Sequence, residues 1–405
     1  MTSTSTKVKL VALSLFLATA ATVALVPEHP ATTGTPIPVN TATPAALANG
    51  HAKIEVVFVL DTTGSMGGLI QSAKEKIWSI ASTMATAKPT PEIRMGLVAY
   101  RDRGDSYVTR VVDLSSDLDS MYATLMDFRA DGGGDGPESV NQALYDAVNK
   151  VSWSQDAKAY KVVFLVGDAP PHMDYQDDVK YPETIAAALQ KGIVINAVQC
   201  GTLDDTTHQW QQIAQLARGE YFQVDQAGSA VAIATPFDRK LAELSEALDG
   251  TRMYYGTKED KAEQEAKVAA AAKVAEMASV ESRARRAEFN ASASGATNLL
   301  GKQELVDAVS SGRVKLSDIE RDRLPEPLQT IPPAAQQAAI DEMADKRKAI
   351  MAEVNEVSKE RADYLRQKVQ ESGGAAGSLD AQIYKTVRAQ AKDKGLNYEA
   401  DAPAY

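Results

Sequence analysis

Between Lys53 and Gly250, short apolar runs such as VVFVL and VVFLV alternate with segments of helical periodicity. Strands of that composition are apolar on both faces, so both faces must be covered, and the helical segments between them serve as crossovers. The pattern predicts an α/β fold built on a doubly wound, mainly parallel sheet. Six strands are expected, at Ile54–Asp61, Ile93–Asp102, Tyr107–Leu114, Lys161–Asp168, Ile193–Cys200 and Glu220–Asp225. The short RGDS link between the second and third permits a hairpin, hence one antiparallel edge strand. Helices are expected at about Met66–Ala87, Asp117–Arg129, Pro137–Val151, Pro182–Lys191, Thr206–Ala217 and Ser229–Asp249.

Beyond Gly250 the composition shifts to Ala, Glu, Lys and Arg and strand signals stop, so residues 251–405 are expected to form an all-α C-terminal region. One helix is predicted over Lys258–Asn290, and a long one over about 334–372. In the long one, Ile340, Met343, Ile350, Val354, Val357 and Tyr364 fall at spacings of three and four, and Arg347, Arg361 and Lys368 interrupt the seam. Such a seam favours packing against the Ala-rich helix of the same chain over a coiled-coil dimer.

At the other end, Lys7 and Lys9 precede a charge-free run, Leu10–Val26, which reads as a signal peptide or an N-terminal anchor over residues 1–26. A Pro/Thr/Ala-rich linker follows at 27–50. Export to a periplasm, cell envelope or exterior is the expectation, with membrane contact only through that anchor. The single cysteine, Cys200, excludes an internal disulfide and reads as a buried strand thiol. A formal net charge of -11 argues against a nucleic-acid partner, which needs a basic surface.

In an open doubly wound sheet, ligands bind beyond the C-terminal ends of the strands, where the strand order reverses. Three acid-bearing stretches fall there: DTTGS (Asp61–Ser65), DGGGDGPES (Asp131–Ser139) and GDAPPH (Gly167–His172). The side chains of Asp61, Thr63 and Ser65 are two apart, so a tight loop can turn all three oxygens to one point. Carboxylate and hydroxyl oxygens suit Mg2+, Ca2+ or Mn2+ better than zinc or copper. Each stretch also has a plainer reading. Thr63 or Ser65 can cap a helix, Asp135 can do the same with Pro137 near the first helical position, and Asp168 can sit in a capped turn. Three such loops at one end of a sheet nonetheless concentrate carboxylates, and their repulsion calls for a cation.

With those motifs in hand, Lys53–Asp249 resembles a von Willebrand factor type A (VWA) domain, in a branch found in bacterial cell envelopes. The resemblance implies a metal-ion-dependent adhesion site (MIDAS) with Asp61, Thr63, Ser65 and Asp168 as ligands, and Asp135 where the family places Thr. Glu138 is a second acid nearby. It further implies a divalent cation, Mg2+ foremost with Ca2+ or Mn2+ as alternatives, and a protein partner whose acidic residue completes the metal shell. An anionic Asp135 would weaken that pull on a partner and favour Ca2+ or a self-satisfied site. The domain is expected over 51–250.

The expected function is therefore an exported, metal-dependent protein-interaction module without enzymatic activity. The alternative is a structural envelope protein in which the metal only stabilises the fold. A hydrolase is disfavoured: there is no Gly-x-Ser-x-Gly elbow, and the histidines are His29, His51, His172 and His208. The tripeptide Arg103-Gly104-Asp105 is explained by turn chemistry.

Overall fold

A computed structural model of the chain describes residues 52–134, 136–224, 233–371 and 379–398. All of them lie in the second of two compact units, residues 42–405. The leader expected at 1–26 and the linker expected at 27–50 lie outside the described residues. Among the described residues no helix is long and apolar enough to cross a membrane.

In chain order the elements are β1 (Lys53–Asp61), α1 (Gly67–Ala85), β2 (Glu92–Tyr100), β3 (Thr109–Ser115), α2 (Leu118–Asp127), α3 (Val140–Asn149), β4 (Tyr160–Gly167), α4 (Tyr181–Gln190), β5 (Ile193–Cys200), α5 (Asp204–Leu216), β6 (Tyr221–Val224) and α6 (Asp238–Asp249). There follow α7 (Lys258–Met277), α8 (Val280–Ala291), α9 (Ala296–Leu300), α10 (Leu305–Ser310), α11 (Glu326–Gln329), α12 (Pro333–Glu371) and α13 (Leu379–Lys392).

The strands form one sheet in the order β3-β2-β1-β4-β5-β6. Five run parallel and the edge strand β3 is antiparallel, as the sequence led us to expect. Alternate side chains of β1 enter two apolar layers. Ile54, Val56, Phe58 and Leu60 pack with Trp78 of α1 and Tyr122 of α2. Val57 and Val59 pack with Leu144 of α3, Ile185 of α4 and Trp210 of α5. Burying each such large side chain contributes about 1.5–3 kcal/mol. The order reverses between β1 and β4, so the ends of those two strands flank the crevice in which such sheets bind ligands.

Some boundaries moved for local reasons. The helix expected from Pro137 starts at Val140, because Glu138 is taken into a bridge with Pro171. The helix expected over Lys258–Asn290 is two helices: Ala278 is extended, and the Ser279 hydroxyl caps α8 by accepting from Ser282 N. The long helix α12 packs chiefly on α6, α8 and α10, while the Ala-rich α7 lies on α2. The terminal helix α13 contributes Ile383, Tyr384 and Val387 to the first apolar layer. Its Gln390 accepts from Tyr160 Oη at 2.7 Å and donates to Asn196 Oδ1 at 2.9 Å.

Two of the three basic residues that interrupt the seam of α12 are buried and paired. Arg347 grips Glu304 at 2.8 and 2.9 Å and also reaches Thr251. Arg361 reaches Asp238 at 2.6 Å. A third arginine, Arg286 of α8, donates to both carboxylate oxygens of Asp119 at 2.6 Å and to both of Asp249 at 2.8 and 3.0 Å. The helical region is thus fixed to α2 and α6 through directional ion pairs between groups that are buried, Asp249 being partly exposed.

Removing one partner of a buried pair leaves the other charge unsatisfied. Arg286→Met is therefore expected to destabilise the chain by about 3–5 kcal/mol at neutral pH, read from urea unfolding. Burial alone would raise the Asp119 carboxyl, but the Arg286 charge and hydrogen bonds outweigh it and hold it below its ordinary value. The folded value lies below the unfolded one of about 3.9, so the contribution is complete at neutral pH and is lost as pH falls below about 4. The gap between wild type and Arg286→Met should shrink at pH 3. A gap of equal size at both pH values would rule out the electrostatic origin.

Candidate cation site at the crest of the sheet

Asp61 is the last residue of β1 and is fully buried. Its Oδ1 accepts from Thr63 N at 2.9 Å and from Thr63 Oγ1 at 2.7 Å, and Thr63 Oγ1 lies 3.4 Å from Ser65 Oγ. The three oxygens of DTTGS are thus gathered as the spacing suggested. Neither Thr63 nor Ser65 caps a helix with its side chain. The other oxygen, Asp61 Oδ2, is buried without a hydrogen bond of good geometry among the described residues, although the Tyr100 hydroxyl is near enough to favour the charged carboxyl. Burial pushes the Asp61 carboxyl up to about 7, against the Thr63 hydrogen bonds and with help from the negative charge of Asp168.

Across the crevice, β4 ends at Gly167 and Asp168 follows. A Cβ on Gly167 would lie 2.4 Å from Tyr100 Oη and 3.1 Å from Asp61 Oδ2, so only glycine lets the three strand ends close up. Asp168 is partly exposed, and its carbonyl accepts from Thr206 Oγ1 at 2.9 Å. Burial raises the Tyr100 phenol, with Asp61, Glu138 and Asp168 adding to it.

The second loop is sewn to the first: Gly64 N donates to Gly132 O at 3.1 Å and Asp131 N to Thr62 O at 3.2 Å. Gly132 and Gly133 take φ of +79° and +78°, the left-handed region open to glycine. Asp135, expected as a ligand here, lies outside the described residues. Glu138, to which the sequence reading gave no role, is brought to the site instead. It is 4% exposed, and its Oε2 is buried without a hydrogen-bond partner among the described residues. A Cβ on Gly133 would sit 3.3 Å from both Glu138 Oε1 and Thr63 Cβ, which places that carboxyl beside the DTTGS loop. Burial, followed by the charges of Asp61, Asp102, Asp105 and Asp168, pushes Glu138 up to about 9. The sequence signal was Pro137-Glu138 itself: a residue just past a Gly-rich loop that stays extended before its helix begins.

Beneath these loops lies a polar support. Arg101 Nε donates to Thr62 O at 3.1 Å and Nη2 to Arg129 O at 2.9 Å, joining the first and second loops. Asp102 accepts from Ser139 Oγ and Tyr175 Oη, both at 2.8 Å. His172 is buried, stacked on Tyr175 at 3.9 Å between ring centroids, with Nδ1 2.8 Å from Asp174 Oδ1. The Arg103-Gly104-Asp105 turn is used internally. Asp105 accepts from Asp102 N and Gly133 N, and Arg103 pairs with Asp177 and Asp178.

Among the described residues no three His, Cys, Asp or Glu side chains form a metal cluster by themselves. The donors at the crest are mixed, carboxylates with hydroxyls. Two buried carboxylate oxygens without a hydrogen bond of good geometry, facing the same crevice as Thr63 and Ser65, fit a hard divalent cation.

The loop geometry has a direct check. Gly132→Ala puts a Cβ at positive φ and 2.3 Å from Asp105 Oδ1. It should cost at least about 1–2 kcal/mol in urea unfolding. Gly136→Ala, in open space on the same loop, should stay within about 0.5 kcal/mol. Equal effects would mean that the loop is not held as described.

Residues 55–236 match the family model of the von Willebrand factor A domain. Over 124 residues the chain is 30% identical to a putative ariadne-like RING finger protein, R811, of Acanthamoeba polyphaga mimivirus, covering 31% of this chain and 12% of that protein. Over 120 residues it is 27% identical to alpha-protein kinase vwkA of Dictyostelium discoideum, covering 29% and 19%. Over 114 residues it is 34% identical to human von Willebrand factor A domain-containing protein 7, covering 28% and 12%. The chain thus spans under a fifth of the length of each of these relatives, and their sources, a virus, an amoeba and a mammal, lend no support to a bacterial envelope branch. Among solved structures, the SpRpn10 VWA domain aligns with 12% identity and a TM-score of 0.33, over 43% of this chain and 89% of that one. Proximal thread matrix protein 1 from the mussel byssus, with a zinc-occupied MIDAS motif, aligns with 19% identity and a TM-score of 0.34, over 43% and 42%. The family match, on a chain segment that folds into the six-stranded doubly wound sheet, identifies residues 55–236 as a von Willebrand factor A domain.

Proposed function

We propose that this chain is a metal-dependent protein-interaction module, exported from the cell, that binds a divalent cation and a partner protein at the crest of its sheet. The observation that carries the reading is the Asp61 carboxyl, fully buried at a strand end with no basic partner and with one oxygen lacking a hydrogen bond of good geometry among the described residues. Asp61, Thr63, Ser65 and Asp168 would hold the cation, with Asp135 a further candidate outside the described residues. A set of two hydroxyls and two carboxylates suits Mg2+. When bound, the cation supplies positive charge to these acids and a point of attachment for an oxygen donor of the partner. The chain's own residues gather the donors: Thr63 orients Asp61, Gly167 lets the strand ends approach, and Arg101 holds the loops together.

Exposed apolar side chains on the loops that follow the strands would suit a protein better than a small molecule as partner. Met173, Val179 and Leu203 stand on the loops after β4 and β5, exposed by 39%, 39% and 53%. A non-enzymatic role agrees with the support beneath the site. Ser139 is 1% exposed and its hydroxyl is committed to Asp102, which supports reading it as a brace of the loops and not as a nucleophile. Export rests on the charge-free run Leu10–Val26.

The test uses the full chain, immobilised and exposed to an extract of its source cells, in Mg2+, in EDTA, and as Asp61→Ala in Mg2+. The expected outcome is a partner retained in the first arm and lost from the other two, with far-UV circular dichroism unchanged. Indistinguishable capture in all three arms would sink the metal-dependent interaction. If EDTA lowers only the melting temperature, the cation is structural and the chain is a scaffold.

A further inference from the structure

In the helical region a cavity of about 460 Å³ opens between the turns Leu316–Asp318 and Arg321–Arg323 and the start of α12. Small-molecule sites commonly have volumes of roughly 300–1,000 Å³. Leu316, Ile319, Leu324, Ile331 and Pro333 form its apolar wall. Leu324 is buried in the apolar cluster of this region with Leu328 and Ile340, and Leu316, Ile319 and Ile331 pack against that cluster while only partly buried. Their remaining apolar surface stays in water unless something fills the cavity.

The wall is braced by hydrogen bonds to main-chain carbonyls. Gln329 Nε2 donates to Leu324 O at 2.7 Å and to Asp322 O at 3.2 Å. Gln336, 8% exposed and itself lining the cavity, donates to Leu328 O at 2.7 Å. A cavity tied in this way is shaped before a ligand arrives, which lowers the ordering cost of binding.

Charge at the cavity is one-sided. Among the described residues that line it, Arg321 carries a charge and no acid is present. The Arg321 guanidinium is anchored through Nε to Gln329 O and has no carboxylate partner among the described residues. The acids beside it in sequence are engaged elsewhere, Glu320 with Arg323 and Asp318 with Ser317. The 39-residue helix α12 begins at the same wall with no acid in its first turn, so the partial positive charge of its N-terminus is not offset there. In a chain with a formal net charge of -11, these features mark the cavity for an anion.

We propose that this cavity binds a small amphiphilic carboxylate, with its apolar chain against the wall and its carboxylate on Arg321. The guanidinium fork matches a carboxylate with two parallel hydrogen bonds. A neutral molecule with the same chain would cover the wall but leave the guanidinium unpaired, and a cationic one would meet both the guanidinium and the positive end of α12. The site shares no residue with the crest of the sheet and does not depend on a metal.

The experiment titrates the full chain by calorimetry with octanoate, octanol and octyltrimethylammonium, each below its micelle-forming concentration. Octanoate is expected to bind once per chain, and the other two about tenfold or more weakly. Arg321→Gln should weaken octanoate by about tenfold or more and bring it level with octanol. Gln337→Glu, which sets an acid on the same cavity, should also weaken octanoate. Arg321 and Gln337 are both exposed, so each variant is expected to melt with the wild type. Equal binding of the three compounds would reduce the cavity to a general apolar surface and overturn the proposal. So would octanoate binding that neither variant changes, or no octanoate binding by the wild type.

Discussion

Burying a carboxylate without a counter-charge is among the more expensive arrangements a fold can hold, several kcal/mol per ion even after relaxation. For Asp61, the rise from an ordinary carboxyl to about 7 corresponds to about 4 kcal/mol. This molecule has the means to avoid such costs and uses them at Glu55, Asp119, Asp238 and Glu304, each of which meets an arginine. At the reversal point between β1 and β4 it uses none of them for Asp61 and Glu138. The loops around the crest can be understood from that one omission, since they hold together acids whose ionisation burial and mutual repulsion oppose.

How they do so follows from backbone chemistry more than from side-chain attraction. Carboxyls that repel one another would open a loop tethered only at its ends. Here the three loops are joined by main-chain hydrogen bonds, Gly64 to Gly132, Asp131 to Thr62, Glu138 to Pro170 and His172 to Glu138. Arg101 adds side-chain ties from the end of β2 to the first and second loops. Positive φ at Gly132 and Gly133 lets the second loop turn closely over the first. Geometry set in advance would let the proposed cation bind without ordering the chain at the same time.

Much of this was legible in the sequence because it depends on local pattern. Apolar runs of five or more flanked by helical segments leave few alternatives to a covered parallel sheet, and the end of such a run at Asp61 or Asp168 marks the crest. Glu138 was harder to read because Pro137 sits where proline often opens a helix. Only the tertiary bridge to Pro171 keeps residues 137–139 out of α3. Arg347 and Arg361 were legible as interruptions of an apolar seam but not as pairs. Their partners, Glu304 and Asp238, lie 43 and 123 residues away in sequence, and no local period connects them.

Those arginines also bear on where a partner can bind. A buried ion pair adds little net stability over an apolar contact, but breaking one is costly, so such pairs penalise alternative packings. Three arginines of this kind hold α8 and α12 against α2, α6 and α10, and α13 closes on the first apolar layer near the start of β4. The helices that flank one face of the sheet are therefore already occupied by the chain's own C-terminal region. The loops at the C-terminal ends of the strands have no such cover among these contacts, and they carry both the unpartnered carboxyls and the exposed Met173, Val179 and Leu203. Packing and electrostatics thus single out the same end of the sheet, by independent routes.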